Sequence, residues 1–173
     1  MCLCAAGLLS NSQRVNSKTN MASTSLKDHE AAMQVAIDLA TQSPFCAVIT
    51  NAISGKILAK GVNATPSNPI LHGEIVCMNN YVSLMGNKNW SAIILYTTGE
   101  PCPMCMSALI WAGIGGVVFG SSINTIKKSG IAAFEYSAKD INEASSFSQT
   151  QLIGGVLETQ CDALFLNRKK FNP

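Results

Sequence analysis

A chain of 173 residues with 47% hydrophobic and 13% charged residues is sized and composed for one well-packed domain, which excludes a highly charged disordered chain. The formal net charge of +2 is too small to argue for or against an RNA partner. Seven cysteines, an odd number in no small-domain disulfide pattern, point to a reducing compartment and favour the cytoplasm.

The chain opens on an apolar run, MCLCAAGLL, with nothing basic before it, and continues through polar SNSQRVNSKTN. Residues 1–22 therefore read as a disordered or targeting segment, and their signal-like start leaves export open. Ser25 is placed as a helix N-cap with Asp28 three residues on, and Ala32, Met33, Ala36, Ile37 and Ala40 recur at helical spacing. This first helix is expected to reach about Gln42 and to stop before Pro44. His29, at its start, is expected to be an exposed residue without a special role. FCAVIT and KILAKGV flank the turn NAISG and predict a hairpin.

Residues 63–69, NATPSNP, form a loop. His72 opens a second helix, with Ile75, Met78, Val82 and Met85 as its apolar stripe and Gly86 as its stop. SAIILYT is apolar on both faces and predicts a central strand. Cys102 opens a third helix, apolar nearly all round to Trp111 and so expected to be buried, Trp111 included. GVVFG is a fourth strand. Helical turns are expected near 124–129 and 138–144, a fifth strand at TQLIGG, and a last helix over 158–170. The basic end of that helix, Arg168-Lys169-Lys170, suits its dipole. Cys46, Cys77 and Cys161 sit in apolar surroundings and read as buried thiols. No segment offers the roughly twenty unbroken apolar residues of a membrane span. Strands alternating with helices predict an α/β domain, one sheet covered on both faces.

Two stretches carry chemistry: LHGEIVC, with His72 and Glu74, and EPCPMCMS, with Cys102 and Cys105. A catalytic zinc ion takes three protein ligands and keeps a fourth position open, and His72, Cys102 and Cys105 supply that count. Cysteines at i and i+3 share one helix face. His72 and Glu74 can both reach a point beyond a helix N-terminus, where unpaired N–H groups and the dipole favour thiolate over thiol. Glu74 is then the proton carrier rather than a ligand. Pro-Cys-x-x-Cys alone also fits a redox pair or half of a four-cysteine site, but no second C-x-x-C exists.

The joint pattern His-x-Glu followed by Pro-Cys-x-x-Cys resembles the cytidine deaminase-like superfamily of zinc nucleobase and nucleoside deaminases. The resemblance implies a CMP/dCMP-type deaminase domain over residues 23–173, a three-layer α/β/α sandwich around a mixed five-stranded sheet, and a homodimer. It implies Zn2+ on His72, Cys102 and Cys105, proton transfer by catalytic Glu74, and a substrate-binding asparagine at Asn63. SPFCAVIT and EPCPMCMSALIWA are similar to the guanine deaminase branch, in which Phe45 either walls the base or packs in the core. LHGEI and LYTT are similar to fungal-type cytosine deaminases, and GGVLETQCDALF to tRNA adenosine deaminases.

Residues 121–129 lack the carboxylate that guanine deaminases carry after the fourth strand, Cys46 replaces a glycine, and Gly73 replaces an alanine. The implied activity is hydrolytic deamination of a free base or nucleoside, a purine such as guanine or guanosine being favoured over cytosine. Adenosine deamination in tRNA is the less favoured alternative, and a zinc-binding module without chemistry is a third.

Overall fold

The computed structural model describes residues 24–167. Helix α1 (Leu26–Asp38) starts on a capping box: the Ser25 hydroxyl accepts from Asp28 N at 3.2 Å, and the Asp28 carboxylate accepts from Ser25 N at 3.3 Å. It stops short of the expected Gln42. Ala40 N turns back to Ile37 O and Thr41 N to Leu39 O, so tight turns replace the last helical turn and redirect the chain through Pro44.

Strands β1 (Cys46–Asn51) and β2 (Ile57–Val62) form the expected antiparallel hairpin. Strand β3 (Ile93–Gly99) runs antiparallel to β1, while β4 (Gly116–Ser121) and β5 (Gln151–Ile153) extend the sheet in parallel. The order is β2-β1-β3-β4-β5, so the fully buried β3 is central in this mixed five-stranded sheet.

Alternate residues of the strands feed two cores. Ala47, Ile49, Leu95 and Val117 pack beneath α2 (Gly73–Met85) and α3 (Pro103–Ala112), together with Cys77, Tyr81 and Leu109. Val48, Ile94, Tyr96 and Val118 pack beneath α1 and α6 (Glu158–Leu166), with Met33, Ala36 and Cys161. Period-2 alternation with both faces apolar is what a sheet between two helical layers requires. Two short helices, α4 (Ile123–Lys128) and α5 (Ala138–Ala144), lie between β4 and β5, and α5 packs on Met106 and Ile110 of α3.

Four further expectations need correction. The buried face of α2 is Gly73, Glu74, Cys77 and Tyr81, and Val82 and Met85 of the expected stripe are each 39% exposed. Close backbone approach sets that face. A Cβ on Gly61 would lie 2.3 Å from Cys77 N, and one on Gly73 would lie 2.8 Å from Phe45 O. Helix α3 buries Cys105, Met106, Leu109 and Ile110 but turns Trp111 outward, 76% exposed, with its ring centroid 4.5 Å from that of Phe147. Leu109 packs in the core shared with α2 and the sheet, and Met106 and Ile110 pack on α5, which leaves Trp111 outside both contacts. His29 is buried rather than exposed, with Nδ1 2.9 Å from the Tyr96 hydroxyl. The last helix ends at Leu166, and Arg168-Lys169-Lys170, like residues 1–22, lies outside the described residues. Among the described residues, no helix is long and apolar enough to cross a membrane.

Candidate active site

Two loops deliver the candidate residues to one place. The chain leaves β2 through residues 63–71 and enters α2 with His72 as its N-cap. It leaves β3 through Glu100 and Pro101 and enters α3 with Cys102 as its N-cap and Pro103 behind it. Neither cap residue spends its side chain on the helix it opens. Both side chains turn toward each other instead, and Cys102 Sγ lies 3.5 Å from His72 Nδ1. With Cys105, one turn into α3, they place three donor atoms within 4.8 Å of one another. Glu74, in the first turn of α2, reaches the same spot, where its Oε2 accepts from Cys105 Sγ at 3.6 Å.

The electrostatics of the group follow from its burial and from the hydrogen bonds and charges its members share. Burial, the largest cause, pushes the Glu74 carboxyl up to about 7. The Cys105 thiol, hydrogen-bonded to Cys102, holds the Cys102 thiol down at about 4, and His72 adds to the effect. That bond and burial raise Cys105. The bond to Cys102 raises His72 against the opposing effect of burial. Two sulfurs and an imidazole nitrogen, one sulfur already favoured as thiolate, form a donor set that suits zinc with an open coordination position.

His72, Glu74 and Cys102 line a cavity of about 260 Å³, together with Asn63 and Phe45. Cys105, fully buried, backs it. Phe45 is fixed from several sides. The Thr98 hydroxyl donates to Pro44 O at 2.6 Å and accepts from Cys46 N at 3.0 Å, bracketing Phe45. Asn63 N donates to Phe45 O at 3.0 Å, and the Phe165 ring meets the Phe45 ring edge-on at 5.0 Å. Asn63 Nδ2 donates to Thr65 Oγ1 at 2.9 Å. The Phe45 side chain thus lines the cavity and packs on Phe165.

Sequence reasoning missed part of the lining. Thr65, Glu100, Ile123, Ile126 and residues 131–134 also face the cavity. Glu100 carried a signal: it is one of ten carboxylates in the chain and directly precedes Pro101-Cys102. Residues 131–134 carried none, because they follow no helical or strand period. A larger cavity of about 470 Å³, between α1 and the β1–β2 turn, contains none of the three donor residues.

Residues 26–121 match the family described as the cytidine and deoxycytidylate deaminase zinc-binding region. The guanine deaminase of Bacillus subtilis is 29% identical over 159 residues, covering 83% of this chain and 99% of that protein. A tRNA-specific adenosine deaminase of Rickettsia felis is 28% identical over 116 residues, covering 66% of this chain and 77% of that protein. The fold is similar to that of a guanine deaminase from Nitrosomonas europaea, with a TM-score of 0.71 over 83% of this chain and 85% of that one, at 21% identity. More than half of the chain, including all four residues of the donor and carboxylate cluster, falls within the matched span, and the chain belongs to the cytidine and deoxycytidylate deaminase zinc-binding family.

Proposed function

We propose that this chain is a zinc-dependent hydrolase that removes the exocyclic amine of a free nucleobase or nucleoside, with a purine of the guanine type favoured. One observation carries the reading: the donors of His72, Cys102 and Cys105 lie within 4.8 Å of one another, and His72 and Cys102 line a cavity that Glu74 also lines. His72, Cys102 and Cys105 hold the ion. Zinc, when bound, supplies the Lewis acidity that makes water a nucleophile near neutral pH.

The protein's own groups do the rest. Glu74 takes a proton from the attacking water, passes it to a ring nitrogen of the base, and later protonates the departing amine, which leaves as ammonia. Burial raises the Glu74 carboxyl, the direction that suits a group which must give a proton as well as take one. The Asn63 side chain orients the base by hydrogen bonding, and the Phe45 ring walls it.

The substrate class rests on two supports. None of the described residues that line the cavity is Lys or Arg, so a nucleotide phosphate would find no counter-charge there. The guanine deaminase of B. subtilis aligns over 99% of its length, which favours a purine base. A homodimer follows from the same resemblance. The second reading, adenosine deamination in tRNA, is favoured by the match to the R. felis enzyme. It ranks second because that alignment covers 66% of this chain, against 83% for the guanine deaminase.

Ammonia release from guanine, guanosine, adenosine, cytosine and cytidine, set against a tRNA anticodon stem-loop, tests the proposal on zinc-loaded protein. Turnover of a small purine is expected; turnover of the stem-loop alone would replace the first reading by the second. Glu74→Gln should keep its zinc and lose at least about a hundredfold in kcat, the usual scale of a general acid–base group. A variant near the wild-type rate would remove Glu74 from the reaction.

A further inference from the structure

Residues 131–134, Ile-Ala-Ala-Phe, form a stretch of cavity wall without regular secondary structure. Phe134 lines the cavity and yet is 60% exposed. Its ring therefore sits where the cavity meets solvent, and the fold leaves much of it uncovered. Phe45, the other aromatic residue of the lining, is braced by Phe165.

One carboxylate frames this stretch on both sides. Glu100 Oε2 accepts from Ile123 N, at the start of α4, and Glu100 Oε1 accepts from Ala138 N, at the start of α5, both at 2.8 Å. Glu100 is buried, lines the cavity itself and stands two residues before Cys102. Beside it, Lys127 Nζ and the exposed Glu135 carboxylate form a surface ion pair at 2.6 Å, a weak restraint next to the two bonds of Glu100. The group that joins the two short helices is thus part of the loop that delivers Cys102.

We propose that residues 131–134 are the specificity wall of the site, that Phe134 stacks on the substrate base, and that Glu100 is the positioning residue that sets this wall relative to Cys102. The inference rests on the deaminase reading and refines its substrate class. The wall offers only apolar side chains, so it selects by shape and stacking. A ring at the mouth covers a free base but meets the sugar of a nucleoside. The substrate is therefore the free base.

The test compares wild type, Phe134→Ala, Glu100→Gln, their combination and Ala138→Pro, all zinc-loaded. Ala138→Pro deletes one of the two N–H donors to Glu100 at a first helical position, where proline is tolerated. The readouts are KM and kcat on guanine and guanosine, calorimetric binding of 8-azaguanine, zinc content and Tm. Phe134→Ala is expected to keep zinc and Tm and to raise KM for guanine and Kd for 8-azaguanine by roughly tenfold or more, the effect of losing one stacked ring. Its guanine-to-guanosine ratio of kcat/KM should fall. Glu100→Gln presents an amide to one N–H donor; it and Ala138→Pro should raise KM more than they change kcat. The double variant should lose less than the sum of its parts, because both changes act through one wall.

Wild-type KM and Kd in Phe134→Ala would overturn the wall. A fully additive double variant, or a change in zinc content alone in both Glu100→Gln and Ala138→Pro, would overturn the role of Glu100. If wild type binds 8-azaguanine through Phe134 but releases no ammonia from any base, the deaminase reading fails while the wall stands. If it releases ammonia with no dependence of KM or Kd on Phe134, the wall alone fails.

Discussion

The two histidines of the chain serve different ends. His72 caps α2 and turns its ring to the sulfur of Cys102. His29, three residues into α1, is 4% exposed, bonds the Tyr96 hydroxyl through Nδ1 and leaves Nε2 buried without a partner. Burial lowers the His29 pKa from 6.5, against a weaker pull upward from Asp28. The sign follows. Above the unfolded value of about 6.5 both states are neutral; below it the unfolded chain binds a proton that the folded chain resists. Stability is therefore lost as pH falls from about 6.5 through the lowered folded value. Urea midpoints of wild type should drop more steeply between about pH 7.5 and pH 5.5 than those of His29→Gln. Parallel curves for the two proteins would show that His29 does not titrate between the states.

The contrast also marks what is legible in a residue. His72, Glu74, Cys102 and Cys105 can be read together because their spacing makes chemical sense only at two helix starts. His29 and Trp111 cannot, because burial at one position of a helix depends on which neighbour covers that side.

At the scale of the element, α2 carries the clearest lesson. Its apolar spacing selects Ile75, Met78, Val82 and Met85, yet the face against the sheet is built from Gly73, Glu74, Cys77 and Tyr81. Periodicity reports where apolar side chains lie. It does not report where two backbones must touch, and here Gly61 and Gly73 let α2 sit against β2 and the start of β1. Alanine at position 73 would improve helix propensity by up to about 1 kcal/mol. Its Cβ, however, would lie 2.8 Å from Phe45 O and 3.1 Å from Phe45 C, and neither is a flexible side-chain end. Gly73→Ala should thus lower stability by about 1–3 kcal/mol, the usual cost of overpacking. It should also weaken zinc binding, because position 73 directly follows His72 and a shift of the helix start moves that ligand. Chemical denaturation and a competitive zinc titration check both effects; a stabilised variant with unchanged zinc affinity would mean that β1 yields without cost.

For the whole molecule, the sequence pattern yields the order of helices and strands along the chain, and the resemblance implies a mixed five-stranded sheet, but the strand order within it comes from the structure alone. Beyond the β1–β2 hairpin, no local signal says that β1 also pairs with β3, or that residues 131–134 return to the cavity, because these are outcomes of packing across the chain. The candidate metal donors have the same long reach. His72 comes from the layer element that follows the hairpin, and Cys102 and Cys105 from the one that follows the central strand. An ion bound to all three ties α2 to α3 across the top of one core, and its binding free energy becomes folding free energy. Stripping zinc with a strong chelator should therefore lower Tm by several degrees, on the scale of about 2–4 °C for each kcal/mol in a domain of this size. Cys102→Ala and Cys105→Ala should each lose the metal and stop responding to chelator, while Glu74→Gln should respond as wild type does. That pattern separates ligands from the proton carrier without any activity assay. Full metal content in either cysteine variant, or a chelator response lost only with Glu74, would reassign the site.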